Sequence, residues 1–189
     1  MAESFFMADT HFGHKGMTTF LKEDGTKVRP WDTTEEHDTA LIENINKKVP
    51  PSAKIYLLGD AVINRRCLPT LHRINCKNIV LVKGNHDGFK LEEYTSIFSD
   101  IRAYHLMDGM IFSHIPIHPD CLGRFGVNVH GHLHDHRIMI LDNNINKIDV
   151  RYHSVSMEQI DFTPVSFDEL KVRIVNEGGS IPQKTKGNQ

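Results

Sequence analysis

The sequence predicts an α/β fold in which a largely parallel sheet is covered by helices, on three observations. Short apolar runs, Ser4 to Ala8, Lys54 to Leu58 and Asn78 to Lys83, alternate with segments of helical periodicity. Each run stops at a polar cluster: Asp9, Gly59-Asp60 and Gly84-Asn85-His86-Asp87. Strand–helix–strand order implies right-handed crossovers, and such sheets bind ligands beyond the carboxyl ends of their strands. Asp9, Asp60 and Asn85 are expected at those ends.

The elements follow in order. Thr33-Thr34-Glu35-Glu36 has the form of a capping box, Ala40, Leu41 and Ile45 follow at helical spacing, and Pro50-Pro51 ends the segment, which predicts a helix from about 34 to 48. A second helical stretch runs from Asn64 to Ile74 with Pro69 inside it, where proline is tolerated only in a first turn. Leu91 to Phe98 is a short third. Ala103 to Met107 and Met110 to Ser113 flank Asp108-Gly109, a strong hairpin signal. Val127-Asn128-Val129 leads into His130-Gly131-His132. Ile138 to Leu141 and Lys147 to Val150 flank Asp142-Asn143-Asn144 as a further strand pair. Ser166-Phe167-Asp168-Glu169 opens a last helix that should end near Gly178-Gly179. One domain over residues 1–179 is expected, with 180–189 a disordered tail.

The 189 residues are 39% hydrophobic, enough for one continuous core. A net charge of −2 gives no global attraction to nucleic acid or anionic membrane. Met1-Ala2-Glu3-Ser4 lacks the basic and apolar parts of a secretory leader, and no stretch approaches the ~20 apolar residues of a membrane span, so a cytoplasmic location without membrane contact is expected. Cys67, Cys76 and Cys121 are odd in number and never spaced Cys-x-x-Cys, which fits packing residues in a reducing compartment. Histidine stands out: there are 13, with His130-x-His132-x-His134-x-His136 as a cluster, and imidazole is the commonest metal ligand.

Asp9-Thr10-His11 puts a carboxylate and an imidazole on one side of an extended segment, because alternate residues of a strand face the same way. His132-Leu133-His134 does the same with two imidazoles, and Gly131 permits close backbone approach. Each pattern alone is common. Gly84-Asn85-His86-Asp87 is more specific: the glycine allows a tight exit from the strand, Asn85 offers a neutral amide oxygen, His86 is titratable, and Asp87 can orient an imidazole or cap the next helix.

In sequence order, Asp9-x-His11, Gly59-Asp60, Gly84-Asn85-His86-Asp87, His114 and Gly131-His132-x-His134 resemble the five-block signature of the calcineurin-like metallophosphoesterases. Asp9 to Gly16, Arg29-Pro30-Trp31 and Ser113-His114-Ile115-Pro116 look like a small bacterial and phage branch of that superfamily. The resemblance implies a four-layer αββα sandwich, two mixed β-sheets flanked by helices. It makes Asp9, His11, Asp60 and His134 ligands of one metal and Asp60, Asn85, His114 and His132 ligands of another, with Asp60 bridging. It implies hydrolysis of a phosphate monoester or diester, a nucleotide or small phosphorylated metabolite, by in-line attack of a metal-bridging hydroxide. His86 would assist the leaving oxygen. His14, Arg29 and His118, with Asn85, are the candidate substrate contacts.

Imidazole, carboxylate and amide ligands suit Mn, Fe, Zn, Ni or Co better than Ca, and two divalent ions, manganese first, are implied by the resemblance. Many relatives carry an arginine after the Gly-Asp block; Arg65 or Arg66 could take that place. Nucleic acid would enter only as a substrate, and no oligomeric state is readable. The competing expectation is a metal-binding scaffold of the same fold that acts through protein partners without catalysis; here every ligand position and His86 is filled.

Overall fold

In the computed structural model, which describes residues 2–181, the first apolar run forms β1 (Ser4–Met7), an interior strand of a mixed five-stranded sheet. To one side lie β2 (Lys54–Leu57), β3 (Ile79–Val82) and β4 (Asp100–Arg102), all parallel. To the other, β11 (Val165–Ser166) pairs antiparallel with β1. A second mixed sheet has the order β10 (Tyr152–Ser154), β7 (Val127–His130), β6 (Met110–Phe112), β5 (His105–Met107). Its first three strands are parallel and β5 is antiparallel to β6.

The two sheets share one core. Phe6 of β1 stacks on Tyr56 of β2 at 5.2 Å and on Phe112 of β6 at 4.7 Å, so its ring joins the facing sheets. Helix α1 (Thr34–Lys48) buries Leu41, Ile42 and Ile45 against this core, and α3 (Phe167–Asn176) buries Leu170 and Ile174. Both start at the expected capping boxes: Thr33 Oγ1 accepts from the Glu36 N–H while Glu36 accepts from the Thr33 N–H, and Ser166 and Glu169 repeat the exchange. The fold is therefore mixed α/β, with sheets flanked by helices. Cover on the outer face of the second sheet is thin: Leu122, in the 3-10 segment Pro119–Arg124, packs with Ile111 and Tyr152.

Two helical stretches differ from expectation. The stretch around 64–74 is a 3-10 segment, Arg65–Arg73, not an α-helix; Pro69 in its middle has no N–H for an α-helical ladder. Helix α2 is one turn, Leu91–Tyr94, and the chain continues to Phe98 as turns. Strands β8 (Met139–Asp142) and β9 (Ile145–Ile148) pair only with each other, and all their residues are exposed, including Met139, Leu141 and Ile145. Their turn is Asn143-Asn144, both at positive φ, so the connection is two residues and not three. The Asp108-Gly109 hairpin is as expected, with φ of 47° and 77°. Cys76 is buried, but Cys121 is exposed and packs no core. Of the segment expected to be a disordered tail, Ile181 packs on the core and residues 182–189 lie outside the described residues. No described helix is long and apolar enough to cross a membrane.

A polar knot anchors the end of α3. Glu177 accepts two hydrogen bonds from Arg137 (2.9 and 3.0 Å), one from Arg173 Nε (3.0 Å) and one from His153 Nδ1 (2.9 Å). Burial alone would raise this carboxyl, but the His153, Arg137 and Arg173 bonds outweigh it and hold it well below the usual range. The depressed value makes the stabilisation complete above the ordinary glutamate range near ~4.3 and lost as pH falls through the folded value. Urea titration of Glu177→Ala at neutral pH should show a loss of about 1–3 kcal/mol, the half-exposed setting keeping it below a fully buried pair.

Candidate metal centre

The carboxyl ends of five strands converge on one cluster. Asp9 and His11 follow β1, Asp60 follows β2, Asn85 and His86 follow β3, His114 follows β6, and His132 and His134 follow β7. The sheets are stitched together at this end, where Ala8 N–H donates to Val155 O (2.8 Å) and Ala8 bridges Ser156. Residues from both sheets thus meet in one place.

Two groups of ligand-capable atoms form there, Asp9–His11–His134 and Asp60–His114–His132, each with its atoms within 4.8 Å of one another. Asp60 reaches both: its Oδ2 lies 3.3 Å from His114 Nε2 and 3.8 Å from His11 Nε2. Asn85 Oδ1 lies 2.8 Å from His114 Nε2. All seven residues that the motif order singled out are therefore together.

The local geometry is not the strand alternation read from the sequence. Asp9 (φ 59°), His11 (φ 48°), Asp60 (φ 53°), His132 (φ 72°) and His134 (φ 51°) all adopt left-handed backbone. Such conformations cost about 1–3 kcal/mol each for residues with a Cβ and persist where surrounding structure enforces them. The turns let neighbours diverge: His132 joins one group and His134 the other, where an extended strand would put both on one face. Two glycines make room. A Cβ on Gly131 would meet Ala8 Cβ at 2.6 Å and Asp9 Oδ2 at 2.7 Å, and one on Gly84 would strike the Asp60 carboxylate.

His114 Nδ1 lies 2.8 Å from Leu58 O, which only accepts, so Nδ1 carries a hydrogen and Nε2 is left facing the oxygens of Asn85 and Asp60. Asp9 Oδ1 and both ring nitrogens of His11 are buried without a hydrogen-bond partner. Burial pushes His11 down to about 2 with help from the Arg29 charge, and lifts Asp9 to about 6 against the pull of His114 and His134. His11 is thereby held neutral, the form in which imidazole binds a metal, and the Asp9 carboxylate is left short of positive charge. For His114, burial lowers the value, but the Asp60 bond and the Asp9 and Asp60 charges raise it further. Asp9 Oδ1 and the His11 ring, buried without a partner beside the Asp60 carboxylate, are what a divalent cation would satisfy.

Supporting contacts fix the cluster from outside. His134 Nδ1 donates to Glu158 Oε1 at 3.1 Å, which turns its Nε2 inward. The same oxygen accepts from Arg29 Nε at 2.7 Å. Burial would raise Glu158, but His134 and Arg29 bring it to about 2. Sequence reading gave Glu158 no role; the available signal was that a histidine ligand needs an acceptor for its second nitrogen. Asp87 neither orients an imidazole nor caps a helix. Its carboxylate accepts from the N–H groups of Asp60 (2.8 Å), Ala61 (3.1 Å) and Gly84 (2.8 Å), binding the loops after β2 and β3 to each other.

Arg29 requires a correction. Expected to touch substrate, it is fully buried and faces inward: Nη2 donates to Asp9 O (2.6 Å), Nη1 to Thr10 O (3.0 Å) and also lies 2.7 Å from His37 Nε2. The turn at Asp9 sends those carbonyls into the protein, and a buried guanidinium must be paired. From His37 the chain of contacts runs through Asp38 to the Gly13 N–H, so α1 braces the loop that carries His11. His118 is also elsewhere. Its ring is exposed, accepts from Asp120 N–H, and has no described contact with the cluster.

His86 is exposed at the mouth, its N–H donating to Asp60 Oδ1 (2.9 Å) and its ring 5.7 Å from His11. His14 is half-buried, its ring 5.8 Å from His11. The outer members of the histidine series stay out of both groups: His130 is buried against Gly131 O and His136 is exposed. Arg65 pairs with Glu93 on the surface.

No family model matches the chain. An uncharacterised protein of Methanocaldococcus jannaschii, MJ1445, is 29% identical over 184 residues, 94% of each chain. Among solved structures, the Aquifex aeolicus protein AQ665, described as of unknown function, superposes with a TM-score of 0.67 at 22% identity, over 92% of this chain and all of that one. A Pseudomonas putida nuclease, MPE, gives 0.50 at 18% identity, over 82% of this chain and 74% of its own. These structural likenesses establish a shared fold.

Proposed function

We propose that this protein is a dinuclear-metal-dependent phosphoesterase of the calcineurin-like type, hydrolysing a phosphate monoester or diester. The observation that carries the proposal is the paired Asp/His groups sharing Asp60, with Asp9 Oδ1 and both His11 ring nitrogens buried there without a hydrogen-bond partner. That a protein of similar fold is a nuclease supports a phosphodiester among the substrates.

Asp9, His11 and His134 would hold one cation, and His114, His132 and Asn85 the other, with Asp60 between. Two divalent ions held there would supply the charge needed to activate water and neutralise a phosphate in an in-line displacement. The chain does the positioning. Glu158 and Leu58 O fix which nitrogen His134 and His114 present, and Asp87 holds the Asp60 loop at its distance from Asn85. His86 at the mouth is placed to give a proton or hydrogen bond to the ester oxygen as its bond to phosphorus breaks.

The test is a pair of assays, p-nitrophenyl phosphate and bis-p-nitrophenyl phosphate, run with Mn, Ni, Co, Zn and Mg. Hydrolysis of at least one ester should appear with a transition metal, vanish with chelator, and fall about 10²–10⁴-fold in His86→Ala with metal content unchanged. Metal-loaded protein inert toward both esters would sink the reading.

A further inference from the structure

We infer that the groove leading out of the metal centre binds a flat, uncharged ring against Phe20, so that the esters preferred are those carrying a nucleoside beside the scissile phosphate. This rests on the phosphoesterase reading for where the phosphate sits, and three observations support it.

The first is continuity. A groove of about 330 Å³ has His132 and His134 at its inner end and Met17, Phe20, Val28 and Leu133 along its walls. One of those histidines belongs to each metal group, so whatever is esterified to a phosphate held there extends into this groove. Its size is that of a small-molecule site.

The second is a rigid aromatic platform. Phe20 is 48% exposed, an unusual position for a phenyl ring beside a polar centre. It is nevertheless held in place: its N–H donates to Gly16 O (2.9 Å) and its carbonyl accepts from Val28 N–H (2.9 Å). An antiparallel bridge between Leu21 and Lys27 closes the loop, and Asp24 Oδ1 takes both the N–H and the hydroxyl of Thr26. His14 lies edge-on to the ring at 5.9 Å and reaches His11 on its other side. A ring presented in this way stacks with little ordering cost.

The third is charge. Beyond Val28, Asp135 and His136 the groove opens into a second cavity of about 500 Å³, where Glu23, Asp24 and Asp135 face one ammonium, Lys22, and the His136 imidazole. Three carboxylates against one ammonium oppose a second phosphate and offer no basic track for a long polyanion. The group in the groove is therefore neutral and planar, as a nucleobase is and a polyphosphate is not.

The experiment uses calorimetric binding of the methylenephosphonate isosteres of adenosine monophosphate and of ribose 5-phosphate, neither of which can be hydrolysed, to the manganese-loaded protein. The adenosine compound should bind about tenfold tighter or better, since base–aromatic stacking carries that order of effect. Phe20→Ala should bring the ratio close to one, and Phe20→Trp, which keeps an aromatic face, should retain it. A ratio near one in the wild type, or one that survives Phe20→Ala in folded protein, overturns the inference. Binding preference without hydrolysis of any ester would leave the groove standing and remove the phosphoesterase; hydrolysis without preference would do the reverse.

Discussion

Asp60→Asn is expected to leave a folded protein that binds fewer than two metal ions per chain and hydrolyses aryl phosphates at least about 10³-fold more slowly than wild type. The asparagine keeps an acceptor for the His86 N–H but loses the charge of the carboxylate that reaches both His114 (3.3 Å) and His11 (3.8 Å). Two dications a few ångströms apart repel, and a shared anion is what makes their proximity tolerable. Metal analysis after desalting, circular dichroism and the two p-nitrophenyl assays separate loss of metal from loss of fold. Two tightly held ions and activity within a few-fold of wild type would show that Asp60 is not the bridge.

Arg29→Ala should produce the largest loss of stability. The truncation strips donors from the Asp9 and Thr10 carbonyls and leaves the Glu158 carboxylate buried against His134 without its guanidinium. Breaking a buried charge pair from one side costs about 3–5 kcal/mol, a large share of a native stability of about 5–15 kcal/mol. A fall in Tm of roughly 10 °C or more is expected in a thermal melt without added metal. Arg29→Lys should recover little, because one ammonium cannot span the partners that a planar fork reaches. An unchanged melt with a raised KM would instead return Arg29 to the substrate-contact role expected from the sequence.

Arg29 shows where sequence reading stops. Its neighbours in the chain, Pro30 and Trp31, mark it as notable, but nothing local says that the Asp9 turn directs two carbonyls inward to meet it. Features written in short-range chemistry were legible: the capping boxes at Thr33 and Ser166, the Asp108-Gly109 turn, and the polar stops after β1, β2 and β3. The membership of the cluster was legible for a different reason, the order of five blocks along the chain. The backbone shape was not. Residues two apart in a strand share a face, and that rule brought His132 and His134 to one side, whereas left-handed turns send them to separate groups. Glu158 was invisible because its partners, His134 and Arg29, lie 24 and 129 residues away. The exposed pair β8 and β9 obeys its turn residues and pairing, yet its apolar residues face solvent, which periodicity alone does not reveal.

Two cations are expected between these side chains, sharing Asp60. Anomalous scattering from a crystal grown with manganese, recorded on both sides of the manganese edge, measures this directly. Two peaks are expected, one about 2.0–2.3 Å from donor atoms of Asp9, His11 and His134, the other equally near Asn85, His114 and His132, with Asp60 touching both. A single peak, or peaks away from Asp60, would contradict this arrangement.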